Sequence, residues 1–133
     1  MTSRGPVMVV DDDADLRASL SQMLTLAGYE VSEARDGAEA LRALSREFAG
    51  PIVSDIRMPG VDGIELLEAV YDMDPELPVI LLTGHGDVAM AVDALKSGAW
   101  DFLTKPFDPH ELEGAVSRGS KAPRSMMQSA AFA

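Results

Sequence analysis

Apolar positions follow two rhythms that alternate along the chain. Short apolar runs occupy residues 6–10 (PVMVV), 51–55 (PIVSD), 77–83 (LPVILLT) and 101–105 (DFLTK). Most are near-continuous Val, Ile and Leu, which marks strands covered on both faces. Residues 29–34 (YEVSEA) alternate polar and apolar instead, the pattern of an edge strand. Between the runs, apolar residues recur at helical spacing. The stripes are Leu16, Leu20, Met23 and Leu24; Leu41, Leu44 and Phe48; Ile64, Leu67 and Tyr71; Val88, Ala91, Val92 and Leu95; and Leu112, Ala115 and Val116. Each predicts an amphipathic helix. Gly28, Gly50, Pro51, Pro75, Pro78, Gly98 and Pro106 punctuate the breaks.

Strictly alternating strands and helices predict an α/β fold. The expected form is a (βα)5 doubly wound, parallel five-stranded sheet of order 2-1-3-4-5, with right-handed crossovers and helices on both faces. From Ser117 the periodicity fades, and Gly119 and Pro123 argue against a continuing helix. The expected domain is residues 5–118, with 119–133 a linker or tail.

Composition narrows the partners. The chain has 133 residues, a single-domain length. Its net charge of −11 disfavours direct binding to nucleic acid, whose phosphates are met by Lys and Arg. No cysteine is present, so neither disulfides nor thiolate metal sites are available. The apolar runs are too short to span a membrane, and no secretory leader is visible, so a cytoplasmic location is expected.

Chemistry enters at the strand ends. Ligands of a doubly wound sheet bind at the carboxyl ends of the strands, near the switch between strands 1 and 3. Strand 1 ends in Asp11 and Asp12, strand 3 in Asp55, strand 4 in Thr83 and strand 5 in Lys105. The edge therefore reads acid, acid, hydroxyl, ammonium. Clustered carboxylates suit a hard divalent cation such as Mg2+. A carboxylate can also attack phosphorus and form an aspartyl-phosphate. Asp55, between the acids and the Thr83–Lys105 pair, is the best-placed nucleophile. Asp13 is expected to cap the first helix. His85 and His110 lack a second imidazole at ligand spacing.

Three segments, MVVDDDADLR, IVSDIRMPGVDGIELL and VILLTGHGDVAMAVDALKSGAWDFLTKPF, together resemble the receiver domain of two-component response regulators. The last is most similar to receivers of the NtrC/DctD class, which control sigma-54-dependent activators; FixJ-like regulators carry a similar block. The resemblance implies the flavodoxin/CheY-like form of the fold and a phosphoacceptor role rather than a turnover enzyme. It implies that Asp55 accepts a phosphoryl group from a sensor histidine kinase. It further implies Mg2+ bound by Asp12, Asp55 and the backbone carbonyl of Arg57, with Asp11 acting through water. Lys105 would pair with Asp55 or its phosphate, and the Lys105–Pro106 bond would be cis. Thr83 and Phe102 would form the switch pair; Phe102 carries no hydroxyl, unlike the Tyr of many receivers. The helix 4–strand 5–helix 5 face, with Met90 and Trp100 as candidates, would meet an output domain in cis, a downstream protein, or a second copy in a homodimer. Asp15, Ala18, Ser19 and Gln22 lie off the first apolar stripe, where kinases of the family dock.

Some features depart from that class. Residues 119–133 carry Gly and Pro and no heptads, which puts the usual helical dimer linker in doubt. No GxxxxGK[ST] motif is present, so a stand-alone receiver and a piece of a longer regulator both remain open. Two alternatives compete more distantly. A haloacid-dehalogenase-type phosphatase would use Asp11 as nucleophile and Asp13 as acid/base, but it needs a later acidic pair and leaves Asp55 without a role. A flavodoxin-like FMN carrier needs a Ser/Thr/Gly phosphate loop where the acids stand.

Overall fold

The computed structural model describes residues 3–45 and 47–121. In chain order the elements are β1 (Pro6–Val10), α1 (Ala14–Leu26), β2 (Glu30–Ala34), α2 (Gly37–Ala43), β3 (Ile52–Asp55), α3 (Gly63–Met73), β4 (Val79–Thr83), a 3-10 turn (His85–Asp87), α4 (Val88–Lys96), β5 (Asp101–Thr104) and α5 (Pro109–Ser120). The strands form one parallel sheet of order β2-β1-β3-β4-β5, as the alternation predicts.

The pleat divides the core in two. Val7, Val9, Val53, Ile80 and Leu82 point to one face, against Leu20 and Leu24 of α1 and Leu112, Ala115 and Val116 of α5. Met8, Val10, Ile52 and Leu81 point to the other, against Ala40 of α2, Leu66 and Val70 of α3, and Ala91 and Ala94 of α4. The central strands thus bury every residue but Pro6 and Asp55, which is why their sequences do not alternate. β2 and β5 are the edges, and β5 is only half-buried along its length.

Four helical expectations need correction. α2 stops at Ala43, and Leu44 is already extended (φ −73°, ψ 137°). Phe48 reaches the same core from the following turn, where its N–H bonds Ser45 O. In α3 the inward residues are Leu66, Leu67 and Val70, while Tyr71 is exposed. In α4 only Ala91 and Ala94 are buried, and Met90, Val92 and Leu95 face outward. Small alanines let α4 lie close to the sheet, so its larger residues are left outside. Finally, α5 runs through Gly119 to Ser120. A Cβ at Gly119 would stand 3.1 Å from Pro78 Cβ, so the glycine that weakens the helix also permits its close approach to the sheet edge. Of the tail expected over 119–133, residues 122–133 lie outside the described residues.

Candidate functional site

The helices α1, α2, α3 and α5 each start on a turn capped by an aspartate side chain, and these caps shape the loops. Asp13 accepts N–H bonds from Asp15 and Leu16, as expected. Asp62 and Glu65 form a capping box on α3, and Asp108 and Glu111 form another on α5.

Asp11 is the most tightly held acid. Its N–H bonds Ala34 O (3.1 Å), its carbonyl accepts from Arg17 Nη1 (2.7 Å), and its Oδ1 accepts from the Asp13 N–H (2.9 Å). Arg17 is itself paired with Glu33 at 3.1 Å. Asp11 is fully buried, and its Oδ2 has no hydrogen-bond partner among the described residues. Burial pushes its carboxyl above the ordinary carboxylate range. The Asp13 N–H opposes this, the Asp55 charge adds to it, Lys105 opposes it and Asp12 adds again.

Asp55 ends β3, with Ile56 N–H on Leu82 O (3.1 Å) and Gly63 N–H on Ile56 O (2.9 Å) closing the next turn. Oxygens of Asp11, Asp12 and Asp55 all lie within 4.8 Å of one another. Asp12 is exposed and Asp55 half-buried, so the cluster opens to solvent on one side. Lys105 Nζ reaches Asp55 Oδ1 at 3.2 Å. Its backbone N–H bonds Thr83 O (2.7 Å), and the Lys105–Pro106 peptide is cis.

Thr83 is buried, with Oγ1 donating to Gly84 O at 3.0 Å. Phe102 is opposite Leu81 in the β4–β5 ladder and packs on the core shared by α2, α3 and α4. Thr83 lies two residues beyond Leu81, so both side chains address the same face of the sheet. Met90 and Trp100 are exposed, 37% and 42% respectively. Asp15, Ala18, Ser19 and Gln22 are exposed on α1, and His85 and His110 are exposed and lie outside the acidic cluster.

One interaction was not anticipated. Arg57 donates Nε to Asp87 Oδ2 (2.9 Å) and Nη2 to Asp87 Oδ1 (2.7 Å), joining the loop after β3 to the turn after β4. Each residue reads singly as a loop charge, and pairing between distant loops leaves no local sequence signal.

The donor set fits a hard divalent cation: all oxygens, three carboxylates, and one buried oxygen without a hydrogen-bond partner among the described residues. No helix among the described residues is long and apolar enough to cross a membrane.

Residues 7–117 match the family model of the response regulator receiver domain. The C4-dicarboxylate transport transcriptional regulatory protein DctD of Rhizobium meliloti is 46% identical over 128 residues, covering 96% of this chain and 28% of that protein. The transcriptional regulatory protein FixJ of Bradyrhizobium diazoefficiens is 44% identical over 129 residues, covering 94% of this chain and 63% of that protein. The chain thus spans less than two thirds of the length of either relative. Among solved structures, the receiver domain of NtrX from Brucella abortus superposes with a TM-score of 0.83 at 34% identity, covering 88% of this chain and 99% of that one. The chain belongs to the family of response regulator receiver domains, the signal-accepting domains of two-component systems.

Proposed function

We propose that Asp55 accepts a phosphoryl group from the phosphohistidine of a sensor histidine kinase. The observation that carries this reading is the convergence of Asp11, Asp12 and Asp55 within 4.8 Å, with Lys105 Nζ 3.2 Å from Asp55. An Asp55 carboxylate oxygen forms the new bond to phosphorus, the phosphorus–nitrogen bond breaks, and the imidazole leaves and takes up a proton from solvent. Asp11, Asp12, Asp55 and the Arg57 backbone carbonyl would hold Mg2+, Asp11 through water. When bound, the ion supplies positive charge to the phosphoryl oxygens. Lys105, 3.2 Å from Asp55, supplies more.

Thr83 and Phe102 form the switch. The Thr83 hydroxyl leaves Gly84 O for the phosphoryl group, whose three acceptor oxygens outbid a single carbonyl. Phe102 then moves into the space behind Thr83, without the hydroxyl bond that a Tyr could make. The output surface is the α4–β5–α5 face, where Met90, Leu95 and Trp100 are exposed apolar residues. It serves an output domain in cis, a downstream protein or a second copy of the chain. The names of DctD and FixJ favour control of transcription as that output.

With Mg2+ and acetyl phosphate, the intact mass should rise by one phosphoryl group, and Asp55→Asn should abolish the rise. An unchanged rise in that variant would place the nucleophile elsewhere and reopen the phosphatase alternative.

A further inference from the structure

Four of the five helices are capped by an aspartate at the N-terminus: Asp13 on α1, Asp36 on α2, Asp62 on α3 and Asp108 on α5. All four also carry an acidic residue in the first turn. α4 has neither. Asp87 closes the 3-10 turn that leads into α4, with φ −116° and ψ 11°, and makes no side-chain bond to the helix. Both of its carboxylate oxygens go to Arg57, in a two-pronged pair at 2.9 and 2.7 Å. The Asp87 side chain is 11% exposed, and that of Arg57 is 73% exposed. Two-pronged pairing between a guanidinium and a carboxylate fixes geometry as well as charge.

The placement of Arg57 gives this arrangement a use. Ile56, one residue earlier, is fixed through both its N–H and its carbonyl by Leu82 and Gly63. Arg57 is held through its side chain. We infer that Asp87 is a positioning residue for the metal loop: it fixes the side chain of Arg57, the residue proposed above to offer its backbone carbonyl to Mg2+. The inference rests on the Mg2+ reading above. It also ties that site to α4, because a coupling between two sites acts equally in both directions.

Mg2+ titration by calorimetry on the full chain, Arg57→Gln, Asp87→Asn and the double variant tests this. Loss of the Arg57 cation beside an acidic site would by charge alone tighten Mg2+ binding. Loss of a positioning contact weakens it instead, by about tenfold. Asp87→Asn should weaken it similarly, and the double variant no further, since the two residues act as one unit. Equal or tighter Mg2+ binding by Arg57→Gln would overturn the positioning role. If the unaltered chain binds no Mg2+, the metal reading fails first, and the positioning role falls with it.

Discussion

Lys105 Nζ stands 3.2 Å from Asp55 Oδ1 and 3.9 Å from Asp11 Oδ2, one ammonium between two carboxylates. Lys105 and a divalent cation therefore draw on the same negative charge. Replacing it with Gln should tighten Mg2+ binding by about 1 kcal/mol, roughly fivefold, because its side chain is 31% exposed and partly screened by water. Calorimetric titration checks this; weaker binding would mean that Lys105 acts by geometry rather than charge. Phosphoryl uptake from acetyl phosphate should fall in the same variant.

Asp11→Asn should stabilise the metal-free domain. It removes a buried charge whose Oδ2 has no hydrogen-bond partner and which is repelled by Asp55 and Asp12. A gain of about 1 kcal/mol is expected, limited by the loss of attraction to Lys105. Urea midpoints should rise for this variant and depend less on Mg2+. A lower midpoint without metal would contradict the picture of a strained acid.

Gly63→Ala should damage both stability and phosphorylation. A side chain there would overlap the backbone carbonyl of Asp55 and stand 2.8 Å from Ile56 Cα, and backbone atoms cannot step aside as a flexible side chain can. A loss of about 1–3 kcal/mol is expected, as for other overpacked sites. Because the displaced atoms belong to the phosphoacceptor, acetyl phosphate labelling should slow even where the variant remains folded. Normal labelling would show that the turn relaxes away from the site.

The Arg57–Asp87 pair gives a distinct pH signature. Hydrogen bonding from Arg57, then its charge, holds the Asp87 carboxyl below its ordinary value of 3.8. On acidification the unfolded chain therefore takes up this proton before the folded one does. The pair's contribution is complete above 3.8 and is lost as pH falls through the depressed folded value. The stability difference between the native chain and Asp87→Asn should stay constant from about pH 8 to about pH 5 and shift against the native chain at lower pH. Chemical denaturation at several pH values measures it; a difference that shifts near neutrality would point to another group.

The fold was legible because its strongest signals are also its strongest forces. Runs such as LPVILLT have no polar face, so they can only be central strands, and their order then brings Asp11, Asp55, Thr83 and Lys105 to one edge. Helix faces were less legible. The α4 stripe of Val88, Ala91, Val92 and Leu95 ranks residues by hydrophobicity, whereas the structure selects Ala91 and Ala94 by size. Gly119 was read as a helix stop because its propensity is local, while its use is a contact with Pro78. The capping boxes at Asp62 and Asp108 were readable from D-x-x-E spacing. Arg57–Asp87 was not, since thirty residues separate partners that meet only when β3 and β4 lie side by side.

Arg4 binds the Ala27 carbonyl, the Glu113 carboxylate and the Ser117 hydroxyl, and its guanidinium lies 4.7 Å from the centre of the Tyr29 ring. Ser120 returns a bond to the Arg4 carbonyl. The first and last described segments are thus riveted together beside Gly119 and Pro78, at the pole where strands begin, while Asp55 sits where they end. A strand of this length separates the two poles by roughly 15 Å. An event at Asp55 cannot reach residue 121 by touch. It must travel as a shift of whole elements, and a lever anchored this firmly at one end will swing mainly at the other.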